Sequence, residues 1–490
     1  MTTATPPRIT LSSGLDISRL VCGLWQVADM EKGGTTLDPE TAADSLESYA
    51  RQGFDTFDMA DHYGSAEIIT GQLLKRFANE TTRPVAFTKW CPEPGPMTAE
   101  IVRKGVQDRL DRLGVSRVDL LQFHWWSFEH PAWLDALHEM KALQQEGLIG
   151  AIGVTNFDAA HLALALADGI PIATNQVSFS LVDRRAAGDL SALCRAKNVK
   201  LLAYGTLCGG FISERWLGKP EPDMIADWSK SKYKRFIDVA GGWAPFQKLL
   251  AAANNIAVKH GVSISNVATA WVLSHDSVAA TIIGARLGES EHRDDNLKAF
   301  SFSLDAEDHA LLNARFAGME PVPGDCGDEY RKPPFLTASG DLSHHLDAIP
   351  SAYESYPLTH RQGIRISTGS VWEPLAGYSR AVRVRDMIMV SGTTATHSSS
   401  RCVAPGDAGA QATYILDKIA ASITAAGGRI EDVVRTRVYL KDVSQWEPVS
   451  RAHGRVFGEI LPANTLLAAG ALVGDYEVEI DADAIVDEAR

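Results

Sequence analysis

The sequence predicts a (β/α)8 TIM barrel followed by a small α+β domain, and three observations carry that reading. From Arg8 to about Ala317, short apolar runs alternate eight times with helix-like stretches, and runs apolar throughout suit strands buried on both faces of a parallel sheet. Between about Met319 and Arg361 the periodicity collapses. After Gln362 it turns to alternation of apolar and polar residues, the pattern of strands with one wet face. The chain has 490 residues and 45% hydrophobic content, more than the roughly 250–300 residues at which one core stops growing. Two domains are expected.

In order, the first domain (residues 1–318) begins with SRLVCGLW and the helical pattern PETAADSLESYARQG. DTFDMA and AEIITGQLLKRF follow, then VAFTKW and TAEIVRKGVQDRLDRLG, then VDLLQFHW and WLDALHEMKALQQEG. IGAIGVTN, IATNQVSF, KLLAYGTL and AATIIGA supply the remaining strands. Periodicity alone also fits an open doubly wound sheet, but eight repeats favour closure. Residues 208–243 mix Gly, Pro, Trp and charge over an unusual length. At the catalytic end of a barrel such a stretch suits a lid or a substrate-side wall, and otherwise a surface insertion.

Residues 319–361, rich in Pro, Gly, Ser and Asp, read as a linker. The His344–His345 pair inside it lacks further ligands at metal-binding spacing, so no metal is expected. In residues 362–490 the strands are IRISTGSVWEP, AVRVRDMIMVSG, VVRTRVYL, NTLLAAGAL and YEVEIDADAIV. Two amphipathic helices, AGAQATYILDKIAASITAAGG and QWEPVSRAHGRVFGEIL, cover one face of that sheet.

Composition narrows function. A net charge of −14 without a sustained basic cluster argues against nucleic acid or an anionic membrane as a partner. No apolar run reaches the length of a span, and the first residues lack a basic-then-apolar leader pattern. Six scattered cysteines without a CxxC pair fit reduced thiols and a cytoplasmic location.

Chemistry concentrates where strand patterns run out: Asp58 and Tyr63 in FDTFDMADHYGSAE, Lys89 in VAFTKW and His124 in LLQFHWW. A phenol, with an ordinary pKa of about 10, becomes a useful general acid when an adjacent ammonium stabilises its phenolate. Lys89 would supply that charge, Asp58 would pair with it, and His124 would hold a carbonyl oxygen near the phenol. Singly, each has a packing explanation: an Asp can cap, a Lys can snorkel, a His can sit in a core. Jointly, at several strand ends of one barrel face, they read as a site.

With these residues placed, the first domain resembles the aldo-keto reductase family over residues 8–317. Its motifs GFDTFDMADHYGSAE, FTKW, QFHWW, GVTNFD, NQVSFS, AYGTLCGGF and IIGARLGESEHRDDNL appear in family order. The resemblance implies Tyr63 as proton donor, Lys89 and Asp58 as its tuning partners and His124 as the orienting group. It implies a nicotinamide cofactor, NADPH before NADH, and a small carbonyl substrate. Gly23, Trp25 and Asp58 would border the cofactor, Asn156 and Gln176 would bond its carboxamide, and Tyr204 would stack on its ring. Gly205, Thr206, Leu207 and Gly209 would line the pyrophosphate. Arg286 and His292 match positions for a 2′-phosphate, with Arg293 as a neighbouring second cation, and Asp295 and Asn296 match adenine contacts. Trp25, Trp90 and Trp125 are expected to wall the substrate, with Trp126 beside them at the strand end. Some proteins resembling this barrel are cofactor-binding sensor subunits rather than fast enzymes, and that class stays open.

The second domain resembles the Rid (reactive intermediate deaminase) family, with its chorismate-mutase-like fold. The likeness rests on PLAGYSRAVRVRDMIMVSGTTA, RIEDVVRTRVYLKDVSQWEPVSRAHGRVFGEILPANTLLAAGAL and YEVEIDADAIV. The resemblance implies hydrolysis of imines or enamines in clefts between the subunits of a trimer, with Tyr378, Asn464 and Asp481 in the cleft. Asn464 replaces the family's arginine, so the charged, bidentate anchor for a substrate carboxylate is missing. Asp481 stands where glutamate is usual. The domain is then either an assembly or binding module or a hydrolase for uncharged imines.

Overall fold

The structure, a computed structural model, describes residues 5–225, 228–285, 287, 292–331 and 349–487. Arg286 and the His344–His345 pair lie outside the described residues.

Eight parallel strands close a barrel: β3 (Leu20–Gly23), β4 (Thr56–Asp58), β5 (Val85–Trp90), β6 (Val118–His124), β7 (Ile149–Thr155), β8 (Ile172–Ser178), β9 (Lys200–Tyr204) and β10 (Val278–Gly284), which returns to β3. A hairpin of β1 (Arg8–Thr10) and β2 (Asp16–Ser18) precedes them. Leu11 and Ile17 join Val21, Phe87, Leu120, Ala151 and Leu202 in the barrel's interior cluster, so the hairpin closes the end opposite the site. Helices lie outside the strands, and side-chain caps fix the starts of some of them: Thr98 accepts from the Ile101 N–H and Asp158 from the His161 N–H. The barrel and not the open sheet is observed.

Pairing register places the chemistry at one level. Gly23 pairs with Asp58, Lys89 with Gln122, His124 with Thr155, and Thr155 with Gln176. All lie at the C-terminal ends of their strands, the end at which such barrels build sites.

The second sheet runs β11 (Glu354–Pro357), β12 (Ile364–Ser367), β13 (Ala381–Val384), β14 (Met387–Thr394), β17 (Val478–Ile485), β15 (Val433–Leu440), β16 (Ala463–Ala468). Only the β15–β16 pair is parallel. The helix Ala408–Ala425, buried along nearly its whole length, packs between this sheet and the barrel helix Ala159–Ala167. Charged pairs stitch that seam. Arg401 bonds Asp168 at 2.7 Å, and His161 is held by Asp158 (2.6 Å) and by Asp417 of the second domain (3.1 Å).

The stretch expected as a linker is partly built in. Residues 319–331 fold over the barrel mouth, ending in a helical turn, Asp328–Tyr330, and Glu354–Pro357 joins the second sheet as an edge strand. Among the described residues no helix is long and apolar enough to cross a membrane.

Candidate active site at the barrel rim

At the rim, Lys89 Nζ donates to Asp58 Oδ2 at 2.6 Å, both side chains about 4% exposed. The other Asp58 oxygen accepts from the amides of Gln122 and Gln176, each at 2.8 Å, and Gln176 also donates to Gln122 at 2.9 Å. The carboxylate therefore meets three donors, which offsets much of the cost of burying it. The Lys89 ammonium sits 4.9 Å from the centre of the Tyr63 ring, and Trp25 and His62 close that ring edgewise at 4.9 and 4.8 Å. Burial, reinforced by Asp58 and neighbouring Tyr330, pushes the Tyr63 pKa well up. The phenol is held protonated, the form a proton donor needs.

His124 completes the group. Its Nε2 faces the Asn156 amide nitrogen at 3.4 Å and its Nδ1 faces Cys91 Sγ at 3.7 Å. Burial first, then the charges of neighbouring Arg331, Lys89 and Lys232, holds its pKa well below the usual range, so the imidazole is neutral.

The residues expected to meet a cofactor lie as follows. Tyr204 donates to Asn156 Oδ1 at 2.9 Å, which orients that amide. Gly205 and Gly209 adopt positive φ in the turn after β9, and among the described residues the buried Thr206 hydroxyl finds no hydrogen-bond partner. Leu207 packs beside them. Asp295 accepts from Ser263 at 3.0 Å, in the short helix that also carries Asn296. His292 is exposed. Arg293, expected beside it as a second cation, instead turns inward, donating to Ser48 (2.8 Å) and lying 4.5 Å from the Tyr49 ring.

Two substrate assignments are corrected. Trp90 is 5% exposed and packs on Phe123 and against Gly105, where even a Cβ would come within 2.5 Å of the indole. Trp125 is fully buried, stacked on Phe123, its indole N–H donating to the His130 carbonyl. Strand alternation is the reason: Lys89 and His124 point inward, so the next residue in each strand points out to the helices. Trp126, 5.0 Å from His124, lies at the site together with Trp25, which was expected there and stands 4.9 Å from the Tyr63 ring.

Sequence reading missed the strap. Tyr330 lies edge-on to His124 at 5.1 Å and to Trp126 at 5.4 Å. Glu329, wholly buried, pairs with Arg185 at 2.8 Å and accepts from Tyr204 at 3.2 Å. Arg331 donates to the carbonyls of Asn156 (2.7 Å) and Trp125 (2.9 Å). Gly327 at φ +92° passes so close to Asn156 that a Cβ would lie 2.2 Å from its carbonyl oxygen. The strap's local sequence, GDCGDEYRK in a Pro-rich stretch, shows acids, one tyrosine and two cations but no periodicity that would place them at the mouth. The 208–243 segment contributes the helix Trp228–Val239, which sets Lys232 and Tyr233 over the same mouth.

In the second domain the three expected cleft residues do not converge within one chain. Asn464 donates to Thr436 at 2.9 Å and faces His453, whereas Asp481 pairs with Arg437 at 2.5 Å and accepts from Tyr439. Thr436 and Arg437 are successive residues of β15 and so point to opposite faces. Tyr378 is nearer Arg380, 5.7 Å from its ring, whose guanidinium donates to the Gly392 carbonyl. Glu479 overlies Gly392, and burial raises its pKa against the pull of Arg380.

A closed parallel barrel with a lysine–aspartate pair beneath a tyrosine at its C-terminal rim defines a barrel oxidoreductase class. The chain belongs to the aldo-keto reductase family: residues 19–315 match the model described as "Aldo/keto reductase family", and residues 368–486 match that described as "Endoribonuclease L-PSP", so a Rid-type domain shares the chain. Among similar proteins is the "NADH-specific methylglyoxal reductase" of Escherichia coli, 25% identical over 337 residues, 63% of this chain and 98% of that protein. The "6-dehydroglucose reductase" of Agrobacterium fabrum is 29% identical over 300 residues, 56% of this chain and 87% of that protein. Among solved structures, the glycerol dehydrogenase of Gluconobacter oxydans shares the fold with a TM-score of 0.52 at 24% identity, covering 66% of this chain and 98% of that one.

Proposed function

We propose that the barrel is a nicotinamide-dependent carbonyl reductase, working also in reverse as an alcohol dehydrogenase, with Tyr63 as general acid and base. The observation that carries this is the buried Lys89–Asp58 pair lying against the Tyr63 ring, with His124 across the mouth. A bound reduced nicotinamide supplies hydride to the carbonyl carbon. Tyr63 delivers the proton to the oxygen as negative charge develops there. Lys89 stabilises the resulting phenolate, and Asp58, fixed by Gln122 and Gln176, holds the ammonium in place. His124, neutral, orients the carbonyl oxygen.

The residues present suit such a cofactor: a glycine turn after β9, an unpartnered Thr206 hydroxyl within it, and the Tyr204 ring beside Asn156. Arg286 and His292 are the basis for assigning NADPH ahead of NADH. The name of the Escherichia coli relative supports NADH, so both dinucleotides belong in the assay. The alternative is a sensor subunit that binds dinucleotide and turns over slowly with every carbonyl.

A panel of aldehydes and ketones, followed by dinucleotide absorbance, decides between these. The reductase reading expects repeated fast turnovers with at least one compound, and a fall in kcat of about 10²–10⁴ in Tyr63→Phe. Wild-type turnover in that variant would refute the acid assignment.

For the second domain we propose assembly into a trimer through the open sheet face, with the barrels outside. Its helices already face the barrel, and Met387, Met389 and Ile485 stand 38–45% exposed on the sheet's other side. The rival activity, hydrolysis of a neutral imine or enamine, is read by ammonia release from the full chain.

A further inference from the structure

At the mouth of the barrel two cations form no ion pair among the described residues, although Asp158, Asp328 and Glu329 act on the second of them from further off. Lys232 places its ammonium among three phenol rings, 4.6 Å from the centre of Tyr330, 5.3 Å from Tyr204 and 5.7 Å from Tyr233. Among the described residues its hydrogen-bond partner is the Tyr330 hydroxyl at 2.5 Å. Lys234, two residues on, shows the contrast: it pairs with Glu221 at 2.5 Å and with Asp238. Arg331 is the second cation. It donates to two neutral carbonyls, lies 4.3 Å from the Phe128 ring, and among the described residues keeps a buried Nε without a partner.

Tyr330 separates these cations, with its ring 5.1 Å from His124. A carbonyl group brought to Tyr63 and His124 therefore has its remaining substituent directed among Tyr330, Trp126 and Lys232. The charged side chains that weigh most on His124, Arg331, Lys89 and Lys232 among them, oppose its protonation. An ammonium that has exchanged part of its water for aromatic faces and one phenol gains most from an anion.

We infer that Lys232 recognises an anionic group, carboxylate or phosphate, carried by the carbonyl substrate, which takes the place of the Tyr330 hydroxyl on its ammonium. This rests on the reductase reading above and names its substrate class. The same cation could instead serve the dinucleotide's phosphates, and the experiment separates the two sources.

The probes are 4-carboxybenzaldehyde and its methyl ester, assayed with wild type, Lys232→Met and Lys232→Arg. In Lys232→Met the ratio of kcat/KM, acid over ester, falls about tenfold to a hundredfold, whereas Lys232→Arg keeps most of it. In wild type, terephthalate competes with the ester aldehyde and not with dinucleotide, a reading that needs no variant. An unchanged ratio in Lys232→Met, a raised KM for dinucleotide in its place, or terephthalate competing with dinucleotide overturns the inference. Failure of the reductase reading shows elsewhere, as Tyr63→Phe turning over the ester at the wild-type rate.

Discussion

The two halves of the chain place their polar groups in opposite ways. At the barrel rim, Asp58, Lys89, Gln122 and Gln176 come from the ends of β4, β5, β6 and β8 and satisfy one another inside one closed ring, with Tyr63 and His124 beside them. In the second domain, Asn464 and Asp481 stand on opposite faces of an open sheet, and Tyr378 lies 37% exposed. A closed barrel can complete a site alone because every strand end points to one mouth. An open sheet whose outer face sets Met387, Met389 and Ile485 beside Asp481, Asp483 and Arg437 completes one only when something covers that face.

The strongest challenge to this contrast is Lys89→Met. If the rim is self-contained, removing the ammonium leaves a buried carboxylate short of a partner, which costs about 3–5 kcal/mol of stability. Denaturant midpoints measure that loss, and turnover falls with it. The double variant Asp58→Asn with Lys89→Met recovers most of the stability, because neither charge then remains buried alone, but it recovers no turnover. Recovery of both together would mean the pair is structural.

A second test asks whether the halves are independent. Burial opposes a charge on His161, but Asp158 and Asp417 outweigh it and raise its pKa. Its contribution to docking is therefore complete below its unfolded value and is lost as pH rises through the raised, folded one. Asp158 runs the other way. Burial opposes its ionisation, but His161 and Arg455 prevail and depress its pKa strongly, so its contribution persists through neutral pH and is lost only in strong acid. Docking is then firmest in mild acid, below the ordinary histidine range, and loosens as pH rises above it. Asp417→Asn moves that loosening to lower pH and weakens the seam by about 1.5–3 kcal/mol. Hydrogen exchange in the helix Ala159–Ala167, followed against pH, reports it. A flat profile, unaltered by the substitution, would contradict the seam's electrostatic origin.

The contrast also explains what the sequence made legible. Barrel strands announce themselves because both faces are buried, and Asp58, Lys89 and His124 lie where those runs stop. Parity was readable too: Trp90 follows Lys89 and Trp125 follows His124, so neither can share their direction. The strap was not readable. Glu329, Tyr330 and Arg331 owe their positions to Arg185, Lys232 and Asn156, each about 100 residues or more away in sequence, and a Pro-rich composition gives no hint of such partners. Arg293 misled for a similar reason, since Ser48 and Tyr49 claim it from a distant helix. In the second domain the likeness named residue positions, but an alternating strand also fixes faces, and those divide Asn464 from Asp481.

The gentlest perturbation addresses the open face directly. Met389 is 38% exposed and lies opposite Asp483 in the β14–β17 register, with Met387 opposite Ile485. Met389→Ser removes apolar surface that only another subunit could bury, and because the side chain is already partly covered the change costs about 1 kcal/mol per copy. Light scattering across a dilution series would then show dissociation at higher protein concentration than in wild type, while each barrel keeps its turnover. Were the variant to dissociate no more readily, some surface other than this sheet would be holding the copies together. The exposed methionines would then need an occupant other than a second copy of the chain.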